Sequence, residues 1–283
     1  MRRKTLLKSI HAIPYLFLFL LISCDRGKEI EIPLPDYENQ LVVECYLEPG
    51  TPMRMLLTES VSFFASPQVP LVKDALVTIT HNGIVDTLSY LGLLRDADTT
   101  KIYNYAKISK NVEFDYTSEY SLYIKTPDGR EVTGKCIIPK PVLIDSVDIS
   151  YEPDDTLGSA LVTFTDPPGD DYYRFILYRD TLISVQDVLF DENLTRSTPF
   201  VIKAGEKFYI RTRRNFNIKE NDTHILALIH MDKAYFDYVR SIKDSRELNG
   251  NPFAQASKVK SNVTGGLGIF AGVSYDAKLR LPK

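Results

Sequence analysis

The sequence predicts an all-β protein of two tandem β-sandwich domains, the second carrying one added helix. Three observations lead there. β-branched and aromatic residues recur in short runs separated by Gly, Pro, Asn and Asp, which is the composition of strands and tight turns. Several of these runs alternate apolar and polar residues, the two-residue period of a strand with one face in a core. Hydrophobic residues make up 44% of the chain, enough to fill packed cores.

The chain opens on a segment outside that fold. Arg2, Arg3, Lys4 and Lys8 precede an apolar run from Ile13 to Ile22. This run is about half the roughly 20 residues that a membrane-spanning helix needs. A basic start, a short apolar middle and a small-residue end describe a secretory signal over residues 1–23. Leu21-Ile22-Ser23-Cys24 then resembles the lipobox of bacterial lipoproteins, whose cysteine forms a thioether to diacylglycerol and takes a further acyl chain on its freed amine. The resemblance implies cleavage before Cys24, lipidation of Cys24 and attachment to a membrane, which two or three acyl chains hold stably. Loss of Arg2, Arg3, Lys4 and Lys8 would move the formal net charge from −3 to −7. Such a mildly acidic chain argues against nucleic acid and anionic membrane surfaces as partners. Residues 24–37 read as a lipidated tether, because Asp25–Pro35 is polar, charged and proline-bearing with little to bury.

Residues 38–139 form the first expected sandwich. Gln40–Leu47 alternates with Leu41, Val43, Cys45 and Leu47 on one face, and Met53–Glu59 alternates in turn. Ala75–His81 and Ile84–Tyr90 flank Asn82-Gly83, a strong hairpin turn. Asn104–Ile108 follows, and Glu119–Thr126 and Arg130–Ile138 flank a second turn at Asp128-Gly129. The phrase Val72–Thr80, with Tyr120-Ser121-Leu122-Tyr123-Ile124 after it, resembles transthyretin-like sandwiches, an Ig-like architecture. Cys45 and Cys136 both point to the core. If the first and last strands lie side by side, an oxidising compartment would permit a disulfide. Two buried thiols are the other reading.

Pro139-Lys140-Pro141 marks the domain boundary, since paired prolines stiffen a linker. In residues 140–283, strands are expected at Ile144–Tyr151, Ala160–Thr165 and Tyr172–Tyr178, then at Phe200–Lys203, Lys207–Thr212 and His224–His230. The turn Asp166-Pro167-Pro168-Gly169-Asp170-Asp171 between the second and third is similar to those of fibronectin-like sandwiches. A helix is expected over 232–248. Asp232 supplies the N-cap, Met231 and Phe236 a hydrophobic staple, and Tyr235, Tyr238, Val239 and Ile242 an apolar stripe.

The tail joins Gly250-Asn251-Pro252-Phe253 to Ser261-Asn262-Val263-Thr264-Gly265-Gly266-Leu267-Gly268-Ile269-Phe270. With the lipobox, the LVVE strand and the DPPGDDYYRF segment, it resembles the Bacteroidetes lipoprotein family catalogued as domain of unknown function 4249. That resemblance implies an outer-membrane accessory role beside a TonB-dependent receptor, and it implies no catalytic residues and no cofactor. The Gly-rich ending lacks the Lys-Ser/Thr and the helix of a phosphate loop.

Other chemistry is faint. His81, His224 and His230 read as satisfied surface or strand-end residues; the last two stand too far apart along one strand to share a metal. Asp166, Asp170 and Asp171 read as a solvated turn, with calcium as the sharper alternative. No HExxH or GxSxG occurs. The expectation is a non-enzymatic accessory or ligand-capture lipoprotein on the periplasmic or surface face of the outer membrane, with no metal site. A structural or adhesive surface lipoprotein is the alternative.

Overall fold

Alternation becomes pleated strand where one face meets a core. The computed structural model describes residues 38–62, 69–95, 102–108, 114–116, 118–151, 158–179, 200–202, 207–211, 218, 223–248 and 258–280. Cys24 with its signal and tether, Asn251-Pro252-Phe253 and the tail's Gly250 lie outside them.

The first half runs β1 (Leu41–Leu47), β2 (Arg54–Glu59), β3 (Leu76–His81), β4 (Ile84–Arg95), β5 (Ile102–Ala106), β6 (Glu119–Lys125) and β7 (Glu131–Ile137). The second runs β8 (Ile144–Tyr151), β9 (Gly158–Thr165), β10 (Asp171–Arg179), β11 (Phe200–Ile202), β12 (Lys207–Arg211) and β13 (His224–Met231), then α1 (Lys233–Leu248), β14 (Val263–Thr264) and β15 (Leu267–Arg280). The described residues are thus all-β with a single helix. Twelve strands form one curled sheet in the order β11-β10-β13-β15-β1-β2-β5-β4-β3-β6-β7-β14, and β12-β9-β8 form a second.

Three cores fill the layers. Leu41, Val43, Cys45, Leu57, Ile79, Ile124, Val132 and Phe270 belong to the first. Val162, Phe164, Tyr173, Phe175, Leu226 and Leu228 pack the small sheet onto β10 and β13 in the second. The third seats Tyr235 and Phe236 of α1 on Ile225, Ala227, Ile229, Ile269 and Ala271. Successive residues of β13 therefore enter different cores, which is why the whole strand is buried. Each fully buried Leu, Ile or Phe contributes about 1.5–3 kcal/mol.

The closing strand joins these cores. Val42–Leu47 pair in parallel with Leu267–Gly272, and His224–Met231 pair antiparallel with Val273–Arg280. The sheet therefore continues across the Pro139–Pro141 boundary, and Asn39–Lys283 forms one compact unit. β14 pairs with β7, and the Asn262 amide bonds both the N–H and the C=O of Phe270, at 2.9 and 2.6 Å. The run from β1 to β14 thereby returns to β15. Glycine is required where this segment presses on its neighbours. A Cβ on Gly268, whose φ is +114°, would lie 1.9 Å from the Val43 carbonyl oxygen, and one on Gly272 would lie 2.4 Å from that of Ile137.

β5 leaves β2 after two residue pairs, Arg54↔Ala106 and Met55↔Tyr105. The fully buried Asn104 side chain then does the work of a strand, receiving the Leu57 N–H and donating to the Leu57 C=O, each at 2.8 Å. Beyond it, Pro70 and Val72 pair with Glu59 and Leu57. The β4–β5 hairpin splays off as an arm. Its register shifts between Tyr90 and Leu94, around Gly92 at φ +77°.

Candidate functional site

A buried polar cluster lies at one end of the second core. The turn after β9 delivers Asp171 to the start of β10, and His230 ends up beside it because β10 and β13 pair antiparallel. Tyr173 pairs with His230, and His230 pairs with Ser274 of β15, so the three side chains share one face. The His230 ring stacks on Tyr173 at 4.8 Å. Tyr173 donates to Asp166 Oδ1 at 2.7 Å, and burial followed by that carboxylate pushes its phenol well up.

His230 Nδ1 lies 2.7 Å from the Lys140 carbonyl oxygen, and Nε2 lies 2.9 Å from Asp171 Oδ1. A carbonyl only accepts, so Nδ1 carries a proton. The Nε2 contact needs a second proton, held on the ring or on the carboxyl. Burial raises the Asp171 pKa, while the His230 charge and hydrogen bond pull against it. In either state no ring lone pair is left free to act as a general base, because Nε2 either donates to Asp171 or accepts from it.

Ser274 stands across from His230 with only 2% of its surface exposed, and its Oγ has no hydrogen-bond partner. Ser, His and Asp thus share a neighbourhood without the serine–histidine bond that nucleophilic catalysis uses. The cluster acts instead as a clamp, tying β10, β13 and the Lys140 linker together. Of the two readings of the histidines, surface or strand-end, the second holds: His81 ends β3, and His224 and His230 lie at the two ends of β13. His81, His224 and His230 are all buried, and β13 is covered on both faces. Among the described residues, no group of three or more His, Cys, Asp or Glu could hold a metal ion. Asp166 and Asp171 are engaged by Tyr173 and His230.

A family model described as Domain of unknown function (DUF4249) matches residues 27–278. The chain belongs to this family. No curated protein matches it. The DUF4249 region starts just after Cys24 and ends within β15, so it includes both halves of the sheet and the clamp.

Of the residues singled out in this DUF4249 protein, Cys45 and Cys136 lie in the first core, as buried thiols with no bridge between them. Burial pushes the Cys136 thiol well up, with Asp232 and Cys45 adding to it. Their strands are not side by side. β1 has β15 and β2 as neighbours, and β7 has β6 and β14. The Gly-rich ending turns its close approaches to strand backbones. A cleft of about 300 Å³ opens among Glu59, Leu71, Val72, Pro127, Asp128 and Arg130. Arg130 bridges Glu59 and Asp128, and with Thr126 it holds the Asp128 carboxyl down at about 2.

Proposed function

We propose that this protein is a non-enzymatic outer-membrane lipoprotein, anchored by lipid on Cys24, and an accessory or ligand-capture partner of a TonB-dependent transporter. The observation that carries the reading is positional. Leu21-Ile22-Ser23-Cys24 ends immediately before the family region opens at residue 27, as expected of an acceptor cysteine followed by a short tether. The transporter part rests on the family resemblance. The clamp supports a non-enzymatic role, since both His230 nitrogens are engaged and Ser274 makes no hydrogen bond to the ring.

Cross-linking in native membranes, gentle solubilisation and recovery of the mature chain test this directly. A co-purifying β-barrel receptor is expected, and the amino-terminal peptide should carry acyl mass on Cys24. Recovery without any barrel would sink the transporter role. An unacylated amino terminus would sink the anchor.

A further inference from the structure

We propose that the cleft beside Arg130 is a binding site for a small zwitterion with apolar side chains, of about the size of a dipeptide. This gives the ligand-capture part of the proposed function a site and a ligand class, and it rests on that reading only for its use in the cell. Two hydrogen-bonded segments form the walls. Residues 70–72 run back along the end of β2, where the Glu59 N–H donates to the Pro70 carbonyl at 2.9 Å and the Val72 N–H to that of Leu57 at 3.2 Å. Facing them is the β6–β7 turn, closed by the Thr126 N–H on the Arg130 carbonyl at 3.0 Å and the Gly129 N–H on that of Thr126 at 2.9 Å. Both walls are thus held by the fold, so a ligand has little to order on arrival. The volume of about 300 Å³ is at the lower end for small-molecule sites, which admits a dipeptide and little more.

Charge selects the ligand class. Lys73 and Arg130 line the cleft together with Glu59 and Asp128, two cations against two carboxylates. A site with both signs and no net charge favours a ligand that carries both over a simple anion or cation. Asp128 keeps its charge throughout the neutral range, because the Arg130 and Thr126 side chains hold its carboxyl down at about 2.

Each sign also keeps bonding capacity that the fold does not use. Arg130 engages Asp128 through Nε and Nη2 and Glu59 through Nη2, so its plane is fixed while Nη1 donates to none of the described residues. Lys73 is exposed and makes no ion pair with the described residues. Glu59 receives Arg130 on Oε1, which leaves Oε2 for a second donor. A ligand carboxylate thus meets Lys73 and Arg130 Nη1, its ammonium meets Glu59 Oε2, and Pro70, Leu71 and Pro127 give its side chains apolar contact.

The test is isothermal titration calorimetry of leucyl-leucine into the full mature chain carrying Cys24→Ser. Saturable binding is expected, about tenfold weaker once the amine is acetylated or the carboxylate amidated. Failure to saturate overturns the proposal. Equal affinity for the dipeptide capped at both ends also overturns it, and reduces the cleft to an apolar crevice. Lys73→Gln breaks no ion pair of the described fold, so it separates ligand contact from folding. It should weaken leucyl-leucine several-fold and leave leucyl-leucinamide, which has no carboxylate, unchanged. The same effect on both ligands, or on neither, rejects the site. The Cys24→Ser chain has neither lipid nor receptor, so failure here leaves the anchor and the transporter role standing, and recovery from membranes without a barrel leaves the site standing.

Discussion

The Asp232 carboxylate holds the Gly272 amide at 3.3 Å while its other oxygen caps α1 through the Tyr235 N–H at 2.8 Å. One side chain thus fixes the helix start to the point where β15 changes partners from β1 to β13. Burial raises its pKa from 3.8 to about 6, against the pull of both backbone bonds. The folded state therefore binds a proton that the unfolded chain has released. Stability from this group is full below about pH 4, falls as pH rises to 6, and is flat above that. Two units correspond to up to about 3 kcal/mol. Asp232→Asn cannot titrate, so urea denaturation of both proteins from pH 4 to 7 should show the wild type losing stability relative to the variant by that order.

Gly268 and Gly129 both have positive φ, yet only Gly268 is crowded. Gly129→Ala should cost about 1 kcal/mol, the backbone term alone. Gly268→Ala must also displace the Val43 carbonyl, and should cost more than about 4 kcal/mol or prevent folding. Thermal melts of the two variants decide this. Similar small losses would mean that β15 does not lie against β1 as described.

Ser274 and His230 should respond in opposite directions. Ser274→Ala removes a buried hydroxyl that has no partner, and is expected to be neutral or stabilising by about 1 kcal/mol. His230→Ala strands the mostly buried Asp171 carboxylate, at a cost of about 3 kcal/mol. Chemical denaturation reads both. A Ser274→Ala loss of that same size would show that its hydroxyl is engaged.

Cys45 and Cys136 should resist thiol reagents in the native protein at pH 8, because both are buried and the Cys136 thiol is pushed up. In urea, a Cys24→Ser chain should take up two labels without prior reduction. Uptake of none until a reductant is added would reveal a bridge between them.

The sequence made the strands legible wherever alternation and turn chemistry agree. Asn82-Gly83 does separate β3 from β4, and Asp128-Gly129 separates β6 from β7. The helix was equally plain, since Asp232 and the Tyr235 and Phe236 stripe are local signals. β15 was not. Its glycines are dictated by the carbonyls of Val43 and Ile137, which are distant in sequence and carry no local pattern. The clamp was hidden for the same reason. Asp171 and His230 are 59 residues apart and meet only through antiparallel pairing. The burial of His230 further depends on the Lys140 linker and Tyr173 covering its face of β13, which no periodicity in residues 224–231 announces.

Because Val42 lies beside Leu267, the first strand to be made waits for a partner 225 residues later (267 − 42). At usual synthesis rates of about 5–20 residues per second, that interval is roughly 10–45 s. Through it β1 has an open edge, the kind of surface on which chains aggregate. The nascent protein therefore needs shielding until its last residues arrive, and loss of its carboxy-terminal twenty residues should damage the amino-terminal half first.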